Sequence, residues 1–185
     1  MLEAAVELLA ANGYAGMRLA DVSSAAGVSY GLAPTRFESK AGLLKAIQAE
    51  IDGRFTAHMA AVCDENAPGR AFIEQWVAGL FGFARGHPAH WRASVVILVE
   101  SVLTVPEVAA EHTTFVKRNV ATMRNAVERG IADGSIPASV DPYATAVVVE
   151  ALVKGIALDW FSDTTIDLDE RRDLVLAALR QLMGS

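Results

Sequence analysis

The tightest constraint on this chain is the run Asp21-Val22-Ser23-Ser24-Ala25-Ala26-Gly27-Val28-Ser29. Asp21 to Ala26 reads as a turn and a half of amphipathic helix. Gly27 follows it, and glycine takes the left-handed conformation that ends a helix abruptly. Val28 can plug the junction, and Ser29 is a good N-cap for a second short helix. Two short helices joined across a glycine turn make a helix-turn-helix, whose second helix reads the DNA major groove. The ordinary alternative is a helical hairpin with no nucleic-acid role.

Around this run, residues 2–47 resemble the DNA-binding domain of the TetR family of bacterial one-component transcriptional regulators. That pattern runs from an Ala-rich first helix ending in Gly-Tyr/Phe, through Asp-Val/Ile-Ala-x-x-Ala-Gly-Val-Ser-x-Gly, to Tyr-x-x-Phe-x-Ser-Lys-x-x-Leu. The chain matches it in one register at Ala4, Ala5, Leu8, Gly13, Tyr14, Asp21, Val22, Ala25, Ala26, Gly27, Val28, Ser29, Gly31, Phe37, Ser39, Lys40 and Leu43. The run from Gly134 to Pro142, Gly-Ser-Ile-Pro followed by Asp-Pro, resembles the family's regulatory domain more loosely. The resemblance implies an all-α fold of about nine helices. A three-helix helix-turn-helix domain would occupy residues 1–48, and a helical ligand-binding and dimerisation domain residues 49–185. It further implies a homodimeric repressor, released from a double-stranded DNA operator by a small apolar or amphipathic effector.

Composition agrees with such a protein. A chain of 185 residues can bury a sizeable core in one or two domains. Hydrophobic residues make up 52% and charged residues only 21%, so apolar surface is expected to be hidden in an oligomer or a ligand cavity. The single Cys63 excludes an intramolecular disulfide and suits a reducing cytosol. No basic segment precedes an apolar one at the start, so no signal peptide and a cytoplasmic location are expected. The apolar stretch 143–161 has the length of a membrane span, but Glu150, Lys154 and Asp159 interrupt it. A buried helix, and no membrane partner, is the expectation. The net charge of −6 argues against indiscriminate nucleic-acid binding. Residues 1–50 set Arg18, Arg36, Lys40 and Lys45 against Glu3, Glu7, Asp21, Glu38 and Glu50, a net of −1.

The periodicity is helical almost throughout. Leu2, Val6 and Leu9 mark a first helix. Leu44, Ile47, Ile51, Phe55 and Met59 predict a long fourth helix over about 40–62, capped by Ser39. A polar break at 64–69 precedes a fifth helix carrying Phe72, Ile73, Trp76, Leu80 and Phe83, stopped at Gly86-His87-Pro88. Val95 to Val99 alone could be a strand, but the stretch 91–103 and its neighbours favour a buried sixth helix. Pro106 is expected to open a seventh, faced by Val116, Val120, Met123, Val127 and Ile131 and ended by Gly134. Asp141-Pro142 is a cap followed by proline at the first helical position. It opens an eighth helix to about 161, with a ninth over about 167–183.

The resemblance places the recognition helix from Ser29 to about Thr35. Tyr30, Leu32 and Thr35 are candidates for base edges or a thymine methyl, and Gly31 allows close backbone approach. Arg18, Arg36 and Lys40, the last beside the amides opening the fourth helix, are candidate phosphate contacts. Solvated charges at Arg18 and Lys40, and a packing aromatic at Tyr30, are the ordinary readings. Three departures bear on the head. Pro34 stands where the family usually has a tyrosine that touches a phosphate; lacking an amide and crowding the preceding turn, it predicts a recognition helix broken after one turn. Arg18 replaces the usual Thr or Ser cap of the second helix. The chain opens inside the first helix, so the basic N-terminal arm of many relatives is expected to be missing.

For the regulatory half the resemblance implies a cavity among the fourth to eighth helices. Trp76, Phe81, Trp91, Phe115 and Met123 are its candidate walls, although any one of them is ordinarily plain core. Glu100 lies in an apolar helix where an unpaired carboxylate is costly. It is expected to pair with Arg92 or Lys117, or to serve as the cavity's polar handle. Glu150 and Lys154 sit one turn apart and can pair. The eighth helix is apolar on two sides, and with Leu174, Ala178, Leu179 and Leu182 it fits a two-fold four-helix interface. Val148, Leu152, Gly155 and Leu179 are the candidate interface residues. A second function class remains open, a small-molecule-binding helical dimer with a degenerate DNA-binding head. An enzymatic reading finds little: His58, His87, His90 and His112 form no metal-ligand motif, and no nucleophile elbow or phosphate loop is present. No catalytic residue, metal or cofactor is expected.

Overall fold

Aspartate caps open the last two helices of this chain. The computed structural model describes residues 1–184, which contain nine α-helices, one 3₁₀ turn and no strand. They are α1 (Leu2–Gly16), α2 (Leu19–Ala25), α3 (Leu32–Phe37), α4 (Lys40–Val62), α5 (Gly69–Gly86), α6 (Pro88–Leu103), α7 (Ala109–Asp133), α8 (Pro142–Ser162) and α9 (Leu168–Leu182). The 3₁₀ turn is Pro106–Val108, so Pro106 opens that turn and not α7, which begins at Ala109. Asp141 caps α8 through the amides of Tyr143 and Ala144, and Asp167 caps α9 through those of Asp169 and Glu170. Val95 to Val99 lie in helix, as their length and neighbours require. Among the described residues, no single helix is long and apolar enough to cross a membrane.

Two compact units result. The first comprises residues 1–55 and 87–114, and the second residues 56–86 and 115–184. The head expected over 1–48 lies whole within the first unit, which also takes in α6. There α1 packs along α6, and α2 packs on α1 and α3. Ala5, Val6, Leu9, Met17, Val22, Leu43, Leu44 and Ile47 are sealed from solvent and form its core. Gly13 (φ 66°) interrupts α1 near its end, and Gly27 (φ 66°) turns the chain from α2 toward α3. Both occupy the left-handed region, where a side chain is disfavoured.

In the second unit α9 packs against α5 and α8. The start of α5 meets the end of α7 backbone to backbone: a Cβ on Gly69 would stand 2.2 Å from the Gly130 amide nitrogen. The Asp133 carboxylate accepts from the Gly69 amide at 2.7 Å. Arg70 donates to the Ser135 and Met183 carbonyls at 2.7 and 2.8 Å, fastening the end of α9. Arg180 grips Glu74 through two bonds of 2.8 and 3.0 Å.

Candidate nucleic-acid interface

A short helix survives only if its first-turn amides find acceptors. In α3 they do. The Leu32 amide donates to the Ser29 carbonyl at 2.9 Å, and the Thr35 amide to the Gly31 carbonyl at 3.0 Å. The buried Ser23 hydroxyl of α2 accepts from the Ala33 amide at 3.0 Å. Pro34, with no amide, occupies the one first-turn position left over. The break expected at Pro34 does not occur, because the helix starts at Leu32 and Ser29 to Gly31 form the turn that leads into it. Proline in a first turn forfeits little.

The same residues are turned outward. Ser29, Gly31, Thr35 and Arg36 are exposed, and Tyr30, 75% exposed, packs against little of the head. Leu32 is also exposed. The Thr35 hydroxyl donates to the Gly31 carbonyl at 2.8 Å, which leaves its lone pairs and methyl outward. Arg36 rests over the edge of Phe37, its guanidinium 5.6 Å from the ring centre. Arg18 is exposed at the N-cap of α2 and supplies no side-chain cap.

Lys40 also has partners inside the head. Its ammonium donates to the Ala15 carbonyl at 3.2 Å and stands 4.4 Å over the Tyr14 ring, so its first role is to tie α4 to the end of α1. The joint between α3 and α4 is equally close. Ser39 accepts from the Gly42 amide at 3.0 Å, and a Cβ on Gly42 would fall 2.3 Å from the Phe37 carbonyl. Glu38, between them, takes φ 61°, an uncommon conformation for a residue with a side chain. Sequence reasoning missed Ser23 and Gly42; only their deviation from an all-apolar junction could have signalled them.

The candidate effector residues divide between the units. Trp76, Phe81 and Met123 are buried in the second, where Phe115 is half-buried with the Arg118 guanidinium 5.3 Å from its ring centre. Trp91 and Glu100 belong to the first. Trp91 is buried with its indole N–H unpaired. Glu100 accepts from the Thr104 hydroxyl one turn along, at the end of α6.

Of the candidate interface residues, Val148 and Gly155 are exposed and Leu152 is half-buried. A Cβ on Gly155 would meet nothing within 4 Å. Leu179 is the exception. It is 1% exposed and belongs to the core of the second unit, while Leu174, Ala178 and Leu182 are the outward residues of α9. On the same helix as Val148, burial raises the Glu150 carboxyl above its ordinary value, and Lys154 at 3.3 Å partly offsets this.

A further polar group sits in the first unit. Arg54 of α4 donates to Glu3 of α1 at 2.7 Å and to Glu50 at 2.6 Å. Beside them, His90 of α6 has its Nε2 3.7 Å from the Glu3 carboxylate. Burial lowers the His90 pKa, which favours the neutral ring.

Residues 1–47 match the family model for bacterial regulatory proteins of the tetR family, and residues 68–184 match that for the C-terminal domain of BetI-type transcriptional repressors. A TetR-family transcriptional regulator from Rhodococcus sp. superposes with a TM-score of 0.81 at 26% identity, over 99% of this chain and 96% of that one. The regulator FadR from Bacillus subtilis, solved with stearoyl-CoA, has a TM-score of 0.82 at 22% identity over 96% and 95% of the two chains. AibR, solved with isovaleryl coenzyme A and operator DNA, has a TM-score of 0.76 at 17% identity over 98% and 95%. No curated protein matches the chain.

Proposed function

The chain belongs to the TetR family of bacterial regulatory proteins, and from that premise we propose that it is a homodimeric repressor released from its operator by an amphipathic acyl thioester. It is a ligand-responsive, DNA-binding transcriptional regulator. The observation that carries the DNA-reading assignment is the intact α3 with the turn that leads into it: Ser29, Tyr30 and Gly31 of the turn and Leu32, Thr35 and Arg36 of the helix are exposed, and the Leu32, Ala33 and Thr35 amides have acceptors. Arg18 and Arg36 would hold phosphates, and Tyr30, Leu32 and Thr35 would meet base edges. The degenerate-head alternative loses its main support once Pro34 is seen to leave α3 whole.

An acyl-CoA effector is favoured by the ligands seen in FadR and AibR, although those likenesses are of fold alone. An acyl chain also suits aromatic walls, for which Trp76, Phe81 and Phe115 are the nominees. Residues 1–48 would be the DNA-binding domain and 49–185 the effector and dimer domain, with α4 running continuously through the boundary. Dimerisation would use the outward apolar face of α8 and α9, which presents Val147, Val148, Leu158, Leu174 and Leu182. Such a face is an aggregation hazard if left uncovered.

The test is fluorescence anisotropy with duplex DNA from the region upstream of the coding sequence, followed by titration with acyl-CoAs of increasing chain length. Tight, salt-dependent binding that Arg36→Ala weakens about tenfold, and that one chain-length class reverses, is the expected result. Binding indifferent to Arg36 would remove α3 from the interface. Binding indifferent to every acyl-CoA would remove the thioester and leave the DNA assignment standing.

A further inference from the structure

We infer that Glu3, Glu50 and His90 form a binding site for one zinc ion that joins α1, α4 and α6. Their ligand atoms, two carboxylate oxygens and an imidazole nitrogen, all lie within 4.8 Å of one another. Zinc holds nitrogen and oxygen ligands at about 2.0–2.2 Å, so neighbouring ligands of a tetrahedral ion stand about 3.3–3.5 Å apart. The His90 Nε2 to Glu3 separation, 3.7 Å, is already close to that. The two glutamates need only small rotamer adjustments, and a water would complete the fourth position.

The observation that separates this site from an ordinary acidic cluster is His90 itself. Its side chain is 3% exposed, it points Nε2 at the Glu3 carboxylate, and that nitrogen has no hydrogen-bond partner. A buried ring nitrogen is normally satisfied, because leaving it bare forfeits its hydration without return. The sequence hid the arrangement, because its three members come from three helices and share no spacing motif.

Arg54 now supplies the positive charge between the two carboxylates. It is the ion's competitor. Its side chain is 40% exposed and that of Glu3 53%, and exposed ion pairs of this kind contribute little. The long side chain can swing to solvent and surrender both carboxylates without leaving a buried charge behind. A single imidazole with two oxygens suits zinc better than calcium or magnesium, which take six or more oxygen ligands or keep their waters.

The experiment is isothermal titration of the full-length, tag-free chain, stripped with EDTA and dialysed, with zinc chloride. Calcium and magnesium chloride serve as controls. One zinc per chain is expected, with affinity lowered at least tenfold in His90→Ala and in Glu3→Gln. Arg54→Ala is expected to raise the affinity, by roughly fivefold on the scale of two exposed pairs. Glu3 is exposed, so Glu3→Gln keeps the fold even if the His90 variant does not. Absence of a zinc isotherm, or zinc binding untouched by Glu3→Gln, would overturn the site. So would an Arg54→Ala variant that binds no more tightly than the parent. None of these readouts depends on operator or effector binding.

Discussion

The helix-turn-helix and the second compact unit are held together in opposite ways. In the head each constraint acts over a short span of chain: Ser23 reaches the Ala33 amide, Ser39 the Gly42 amide, and Lys40 the Ala15 carbonyl. In the second unit the ties join the ends of a long segment. Arg70 reaches the Met183 carbonyl, Arg180 grips Glu74, and Gly69 lies on Gly130. Local ties leave their pattern in sequence as spacing. Distant ones leave a glycine here and an arginine there, with nothing to connect them. The same difference predicts where substitutions cost most.

The largest effect is expected at Gly69. A methyl there would meet the Gly130 nitrogen at 2.2 Å and the Ala126 carbonyl oxygen at 2.3 Å, and neither backbone atom can give way. Gly69→Ala should destabilise the protein by about 3 kcal/mol and lower Tm by roughly 6–12 °C in a thermal melt. An unchanged Tm would mean that the α5–α7 crossing is not so close. The proposed dimer supplies the contrast within the same unit. Gly155 has open space about it, so Gly155→Arg should leave secondary structure intact in circular dichroism. The same variant should sediment as a monomer, where the parent sediments at twice the chain mass. A monomeric parent would remove the interface.

In the head the matching test is Ser23→Ala. Both Ser23 and Ala33 are sealed from solvent, so the variant strands the Ala33 amide. A cost of about 1–3 kcal/mol is expected, with α3 fraying first in hydrogen exchange. An acid titration separates the two regions again. Arg180 first, and then Arg70 at longer range, hold the Glu74 carboxyl below its ordinary value. The folded pKa is therefore depressed: this stabilisation is present above the unfolded value near 4.5 and is lost as pH falls through the lower folded one. Glu74→Gln should make the melting temperature less sensitive to pH below that value. An identical acid profile would sink the assignment.

How much was legible follows the same division. The junction at Gly27, the caps Ser39 and Asp141, and α4 were readable because each signal lies within a few residues of its effect. Leu179 was misplaced because periodicity marks an apolar stripe without saying which edge of it a neighbour covers. The bond from Lys40 to the Ala15 carbonyl was not legible, because a backbone acceptor carries no side-chain signature. His90 and Glu3 meet only through the packing of α6 on α1, a contact that no local pattern specifies.

The smallest expected effect on stability is also the most instructive. Proline in a helix interior costs about 3 kcal/mol, and that figure underlay the expectation of a broken recognition helix. The expectation placed the helix start at Ser29, three residues early, and so put Pro34 in an interior turn. With the start at Leu32, Pro34 is the third residue, its missing amide lies among those that have no intrahelical partner anyway, and the Ser23 hydroxyl satisfies its neighbour Ala33. Replacing it by tyrosine should therefore change stability by less than about 1 kcal/mol. The phenol would at the same time restore a hydroxyl at the position where relatives touch a phosphate, raising operator affinity by about tenfold. A Tm gain worth the full interior penalty would show that Pro34 does strain α3. A stable Pro34→Tyr variant that binds DNA no better would show that α3 approaches the operator without that residue, through Tyr30, Thr35 and Arg36 alone.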